Sequence, residues 1–242
     1  MIFAPRLARL AAAALGRSSH GGRAVAEQTA REVAEDLLAS VGEHRFATVL
    51  ADPPWQFDNR TGKMAPEHRR LGRYATLRLE EIAALPVADI VEDPAHLYLW
   101  VPNAMLAEGL AVMAQWGFAY KTNIIWYKVR KDGGPDRRGV GFYFRNVTEM
   151  ILFGVRGKGA RTLAPGRRQE NIISSRKREH SRKPDEQYPL IESCSPGPRI
   201  ELFARQRREG WHCWGDEADR FAGSDDAAQA SPPAPGWQPA LL

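Results

Sequence analysis

The chain is 242 residues long, 43% hydrophobic and 26% charged, with a formal net charge of +5 and a pI near 9.4. It carries two cysteines, Cys194 and Cys213, and six scattered histidines, and no apolar stretch approaches the roughly 20 residues that cross a membrane. A disulfide-built scaffold, a Cys/His metal centre and a membrane-spanning chain are not expected; one domain with tails, basic enough for a polyanionic partner, is.

Arg6, Arg9, Arg17 and Arg23 precede the first acid, Glu27. Residues 1–23 read as a disordered or targeting-like extension, with an organelle transit peptide left open. The working domain is expected over residues 24–221. Ala24–Ser40 is predicted to be helical, with Val33, Leu37 and Leu38 as its apolar stripe. The apolar run Phe46–Ala51 reads as a buried strand. A polar, basic loop follows over Asn59–Leu79, then a short helix over Leu79–Leu85. His96–Val101 reads as a second strand, and Ala104–Gln115 as a helix stopped by Gly117. Thr122–Lys128 and Thr148–Val155 read as the third and fourth strands, and residues 158–182 as a basic, irregular segment. Pro184–Cys194 is predicted to be a helix, Ile200–Ala204 a fifth strand and Trp211–Trp214 a sixth. Residues 222–242, rich in Pro, Ala and Ser, read as a disordered tail. Strands alternating with helices predict an α/β fold whose sheet is mostly parallel and covered on both faces. Such folds bind ligands at the carboxyl ends of their strands.

Asp52-Pro53-Pro54-Trp55 stands at that end of the first strand. The pattern suits a reaction on the exocyclic amine of a nucleobase. The N6 lone pair of adenine is delocalised into the ring, so that amine is a poor nucleophile. A carboxylate accepting one N–H and a peptide oxygen accepting the other favour the tetrahedral nitrogen that forms during methyl transfer. Proline fixes φ and biases its predecessor towards extended backbone, so both acceptors are set in place beforehand. Trp55 offers a π face for a base. The plainer reading is a strand-ending turn with a core tryptophan.

Further motifs follow: Asn146-Val147-Thr148-Glu149, Gly154-Val155-Arg156-Gly157, Lys183-Pro184-Asp185-Glu186, Glu201-Leu202-Phe203-Ala204-Arg205, and Gly210-Trp211 with Trp214-Gly215. With the acid motif ahead of them, the chain from about Phe46 to Glu217 resembles the MT-A70 family of adenine-N6 methyltransferases. The resemblance implies a Rossmann-like methyltransferase fold in the permuted, β-class-like motif order, with S-adenosyl-L-methionine as cofactor. It implies that Asp52, Pro53, Pro54 and Trp55 form the catalytic motif, with Trp55 lining the base pocket. Asp52 would also lie near the cofactor's methionyl end and Lys183 would pair with its carboxylate. Arg205 would meet the ribose, and Gly215, Asp216 and Glu217 its hydroxyls and the adenine side. Relatives commonly carry Asn where Asp216 stands; aspartate accepts from a hydroxyl but cannot donate as an amide does.

Three basic stretches are interleaved with aromatics. Residues 156–183 hold ten Lys or Arg against two acids. The loop after the first strand includes Arg73 and Tyr74; the one after the third includes Arg145 with Phe142, Tyr143 and Phe144. Such loops suit phosphate contact and base stacking. Arg73, Tyr74, Arg145, Glu149 and Arg178 join Trp55 as candidate substrate contacts. All three stretches follow predicted strands and so could gather at one rim of the sheet. Nucleic acid is the expected partner, DNA ahead of RNA, as a homodimer or as a heterodimer with a related subunit. The expected compartment is the cytoplasm, with nucleoid or nuclear association. A non-catalytic nucleic-acid-binding subunit is the rival reading.

Overall fold

The computed structural model describes residues 21–56, 76–136, 143–177 and 182–215, and their side chains from residue 30 onward. The elements are α1 (Gly21–Val41), β1 (Phe46–Ala51), α2 (Leu79–Ala83), β2 (Val91–Val101), α3 (Leu106–Gln115), β3 (Ala119–Val129), β4 (Thr148–Arg156), β5 (Ile172–Arg176), α4 (Gln187–Cys194), β6 (Arg199–Leu202) and β7 (Trp211–Trp214). The strands form one seven-stranded sheet in the order β5-β3-β4-β2-β1-β6-β7. This is the α/β, Rossmann-like arrangement expected.

The sheet is parallel except around one strand. β1 pairs with β2 and β6, β6 with β7, and β3 with β5, all in parallel, whereas β4 is antiparallel to both β2 and β3. β1 sits between two partners and is buried along its whole length, which its unbroken apolar sequence requires. Alternation along the strands divides the core in two. Val49, Leu97, Leu99, Val101 and Leu152 face α1, α2 and α3 through Leu37, Ile82 and Val112. Leu50, Tyr98, Trp100, Trp126 and Phe153 face α4 through Tyr188, Leu190 and Ile191. Helices thus cover both faces.

The structure corrects the expected elements in several places. A strand, β5, lies within the segment read as irregular. Its neighbours are basic and polar, and only Ile173 and Ser175 are buried, so the strand exists because β3 offers it an edge. The fifth predicted strand stops at Leu202 instead of Ala204, because Phe203 adopts a left-handed backbone with φ 63°. α4 begins at Gln187 rather than Pro184, and α3 is preceded by a 3₁₀ turn over Asn103–Met105.

A further correction concerns the rim. Because β4 runs backwards, its carboxyl end lies at the sheet edge opposite the ends of β1, β2 and β6. Arg156 leaves from that far edge and its Nη1 donates to Ala88 O at 2.8 Å. Gly166 packs against Cys194 at the far end of α4. The first part of the long basic stretch is therefore remote from Asp52, and β5 carries the chain back, so only its last part returns. Reversal also puts the first residues of β4, including Glu149, at the same edge as Asp52.

α3 crosses β2 closely through Gly109. A Cβ there would lie 2.5 and 2.7 Å from the two Val101 methyls. Gly→Ala inside a helix ordinarily gains roughly 0.5–1 kcal/mol. Here the sign should invert: Gly109→Ala is expected to lose about 1–3 kcal/mol by overpacking, read as a lower thermal midpoint.

Candidate active site

Asp52 leaves the end of β1 into a turn held by backbone hydrogen bonds. Trp55 N–H donates to Pro53 O at 2.9 Å, and Leu77 N–H to Pro54 O at 2.8 Å. The carbonyl of Pro53 keeps one lone pair beyond that bond. Trp55 is 5% exposed and its indole N–H donates to Trp100 O at 2.9 Å. The ring expected to offer a stacking face is thus a core side chain that pins the turn to the end of β2, because its apolar bulk packs beneath the sheet edge.

Beside the turn, four charged groups alternate in sign. Lys183 Nζ is 2.9 Å from Asp52 Oδ1 and 3.3 Å from Glu149 Oε2, and Lys128 pairs with the other oxygen of Glu149. Two tryptophan rings form the floor. Lys183 Nζ lies 5.0 Å from the centroid of Trp100, and Lys128 Nζ 4.9 Å from that of Trp126. The rings are held by their N–H groups, Trp100 to Gln187 Oε1 at 2.8 Å and Trp126 to Ser175 Oγ at 3.0 Å. Two clefts meet at Lys183. The larger by total open space, about 440 Å³ including space continuous with solvent, is lined by Asp52, Trp100, Tyr188, Glu201, Phe203 and Arg205 among others. The second, about 310 Å³, is lined by Trp126, Glu149, Lys177, Arg182 and Lys183.

The floor of the larger cleft also holds a buried acid. Tyr188 O–H lies within 3.2 Å of both oxygens of Glu201. Phe203 follows directly, in a conformation that costs a bulky residue on the order of 1–3 kcal/mol. Ala204 N–H donates to Trp214 O at 2.9 Å, and Gly215 lies against this backbone so tightly that a Cβ would come within 2.6 Å of Ala204 N. Only glycine fits, which ties the ends of β6 and β7 together beneath the cleft.

The charges fix each other's protonation. Burial works against a charged Lys183, but Asp52 and Glu149 outweigh it and raise its pKa. Burial likewise favours a neutral Glu149, yet Lys183 and Lys128 hold its carboxyl at about 2. Glu201 goes the other way: burial, helped by the nearby Asp52 charge, raises it to about 7 against the Tyr188 hydrogen bond. Among the described residues, no group of three or more His, Cys, Asp or Glu is placed to hold a metal.

The predicted residues are partly assembled. Asp52, Lys183 and Arg205 line the larger cleft, Glu149 the second, and Gly215 supports the first from below. Arg145 is exposed on the chain entering β4 and lines neither cleft. Arg73, Tyr74, Arg178, Asp216 and Glu217 lie outside the described residues. Lys128, Trp100, Trp126, Tyr188 and Glu201 were not anticipated. Glu201 carried a usable signal, an acid within an apolar strand, where an unpaired carboxylate is costly.

Stability should follow these shifts with opposite signs. A lowered Glu149 contributes stability that is present above pH 4.5 and lost as pH falls towards 2. A raised Glu201 contributes stability that is present below pH 4.5 and lost as pH rises through 7. In urea unfolding across this range, the deficit of Glu149→Gln against the wild type should shrink towards acid, and Glu201→Gln should gain on the wild type towards alkali.

Comparison with known proteins agrees with the geometry. The MT-A70 family model matches residues 46–217. The type II methyltransferase M.MunI of Mycoplasma sp is 28% identical over 199 residues, covering 76% of this chain and 82% of that protein. The catalytic subunit METTL3 of human N(6)-adenosine-methyltransferase is 32% identical over 182 residues, covering 72% of this chain. A putative MT-A70-like N(6)-adenosine-methyltransferase of Medicago truncatula is 30% identical over 192 residues, covering 77% of it. The chain spans 28% of the length of each of these last two relatives. Acid motif, charge chain and cleft all fall inside the matched span, and the chain belongs to the MT-A70 family.

Proposed function

We propose that this chain transfers a methyl group from S-adenosyl-L-methionine to N6 of adenine in nucleic acid. The observation that carries the reading is Lys183, held between the carboxylates of Asp52 and Glu149 where two clefts meet. One cleft suits a donor and the other an acceptor, with the reacting groups at the junction.

The residues of the larger cleft fit the cofactor. Its amino-acid end needs a cation for the carboxylate and an anion for the ammonium, and Lys183 with Asp52 supplies both signs. When bound, S-adenosyl-L-methionine supplies an electrophilic methyl whose bond to sulfur breaks as the bond to N6 forms. Asp52 accepts one N–H of the adenine amine and the remaining lone pair of Pro53 O accepts the other. These acceptors are fixed before the reaction, so no reorganisation is needed as the nitrogen becomes positive. Lys183 changes partner when a carboxylate enters, which frees an Asp52 oxygen for the amine. The amine proton leaves after transfer, so Asp52 need not be a strong base.

DNA is the first substrate in this reading. Support comes from the match to the type II methyltransferase M.MunI, which covers 82% of that protein. A homodimer or a heterodimer with a related subunit is compatible with it. No described helix is long and apolar enough to cross a membrane.

Incubation with labelled methyl donor and separate DNA and RNA pools should yield N6-methyladenine in DNA; label only in RNA would reverse the substrate, and label in neither would reject the activity. Asp52→Asn should lower turnover by about 10²-fold or more, and cofactor affinity by calorimetry, to which Asp52 contributes only through the ammonium, by less. Equal losses in both would make Asp52 structural. Lys183→Met should weaken cofactor binding by about 30-fold or more, the cost of stranding a buried charge.

A further inference from the structure

The two most exposed aromatic side chains among the described residues are adjacent. Tyr143 is 94% exposed and Phe144 85%. They stand on the connection from β3 to β4, and both of its ends belong to the site rim. Lys128 N–H donates to Val147 O at 2.9 Å, which fixes the returning chain beside the end of β3. Glu149 is five residues beyond Phe144, so the ring's backbone lies at most about 17 Å from the charge chain.

Leaving two such rings in water forgoes a large apolar burial, so a partner is expected to cover them. Charge argues for what kind. The connecting stretch 130–147 holds five Lys or Arg against two Asp. Protein interfaces are depleted in charge at their centres, whereas polyanion sites interleave basic and aromatic residues. An enzyme acting on N6 in a duplex must turn the adenine out of the stack. That leaves a gap about 3.4 Å tall, the thickness of one aromatic ring, and apolar side chains are known to enter base steps.

We propose that Tyr143 and Phe144 enter the base stack beside the target adenine and replace the stacking lost when it leaves the helix. The proposal rests on the nucleic-acid reading above and adds duplex extrusion to it. The rings do not touch the reacting atoms; they position the target.

The test compares wild type with the double variant Tyr143→Ala/Phe144→Ala on three oligonucleotides: a paired duplex, the same duplex with an abasic position opposite each adenine, and the single strand. Fluorescence anisotropy gives affinity, methyl transfer gives KM and kcat, and calorimetry with S-adenosyl-L-methionine checks the cofactor site. The double variant should bind the paired duplex about tenfold or more weakly, lose far less on the abasic duplex, where extrusion is cheap, and keep its cofactor affinity. Phe144→Leu, which keeps apolar volume without a π face, should fall between. Equal losses on all three nucleic acids, or none on any, would overturn the proposal. So would a change in sedimentation with nucleic-acid binding unchanged, which would make the rings a contact between protein subunits. If the wild type methylates nothing, the enzyme reading fails and the affinities alone decide the wedge.

Discussion

Lys183 holds the site together. Its ammonium sits between two carboxylates from different parts of the sheet, one at the end of β1 and one at the start of β4. Without it those carboxylates would face each other across a poorly solvated junction, and one would be driven to neutralise. With it, Glu149 stays ionised and both carboxylates keep fixed positions. Lys128 completes the chain from the other side of Glu149, so each acid has a cation and each cation lies over an indole.

That arrangement depends on one reversed strand. Were β4 parallel to its neighbours, Glu149 would start from the opposite edge of the sheet and Lys183 would have a single partner. Antiparallel pairing with β2 and β3 brings residue 149 level with Trp126 and residue 150 level with Val101. The same reversal sends Arg156 and Gly166 away from the site, which explains why a long basic stretch does not form one continuous basic rim.

Tryptophans supply the rigidity. Trp55, Trp100 and Trp126 are all at most 5% exposed, and each indole N–H has a partner on a different element. Buried polar groups that are fully satisfied specify one arrangement, and here the satisfied groups lie directly beneath the charged ones. Beneath the larger cleft, Gly215 and the strained Phe203 close the joint between β6 and β7.

The sequence alone determined the parts whose cause is local. The run Phe46–Ala51 reads as a buried strand, the two prolines set a rigid turn, and Glu149 within an apolar strand needed either a cation or a place at the site. Motif order pointed to the family for the same reason, since each motif is a short, self-contained stretch. Tertiary structure decided what depends on pairing between distant segments. The direction of β4, the existence of β5 and the burial of Trp55 follow from which edge is available and what packs against it, and no local pattern encodes that choice. Lys128 and Glu201 enter the site for the same reason: strand order brings them to one rim, and order in space is not written in order along the chain.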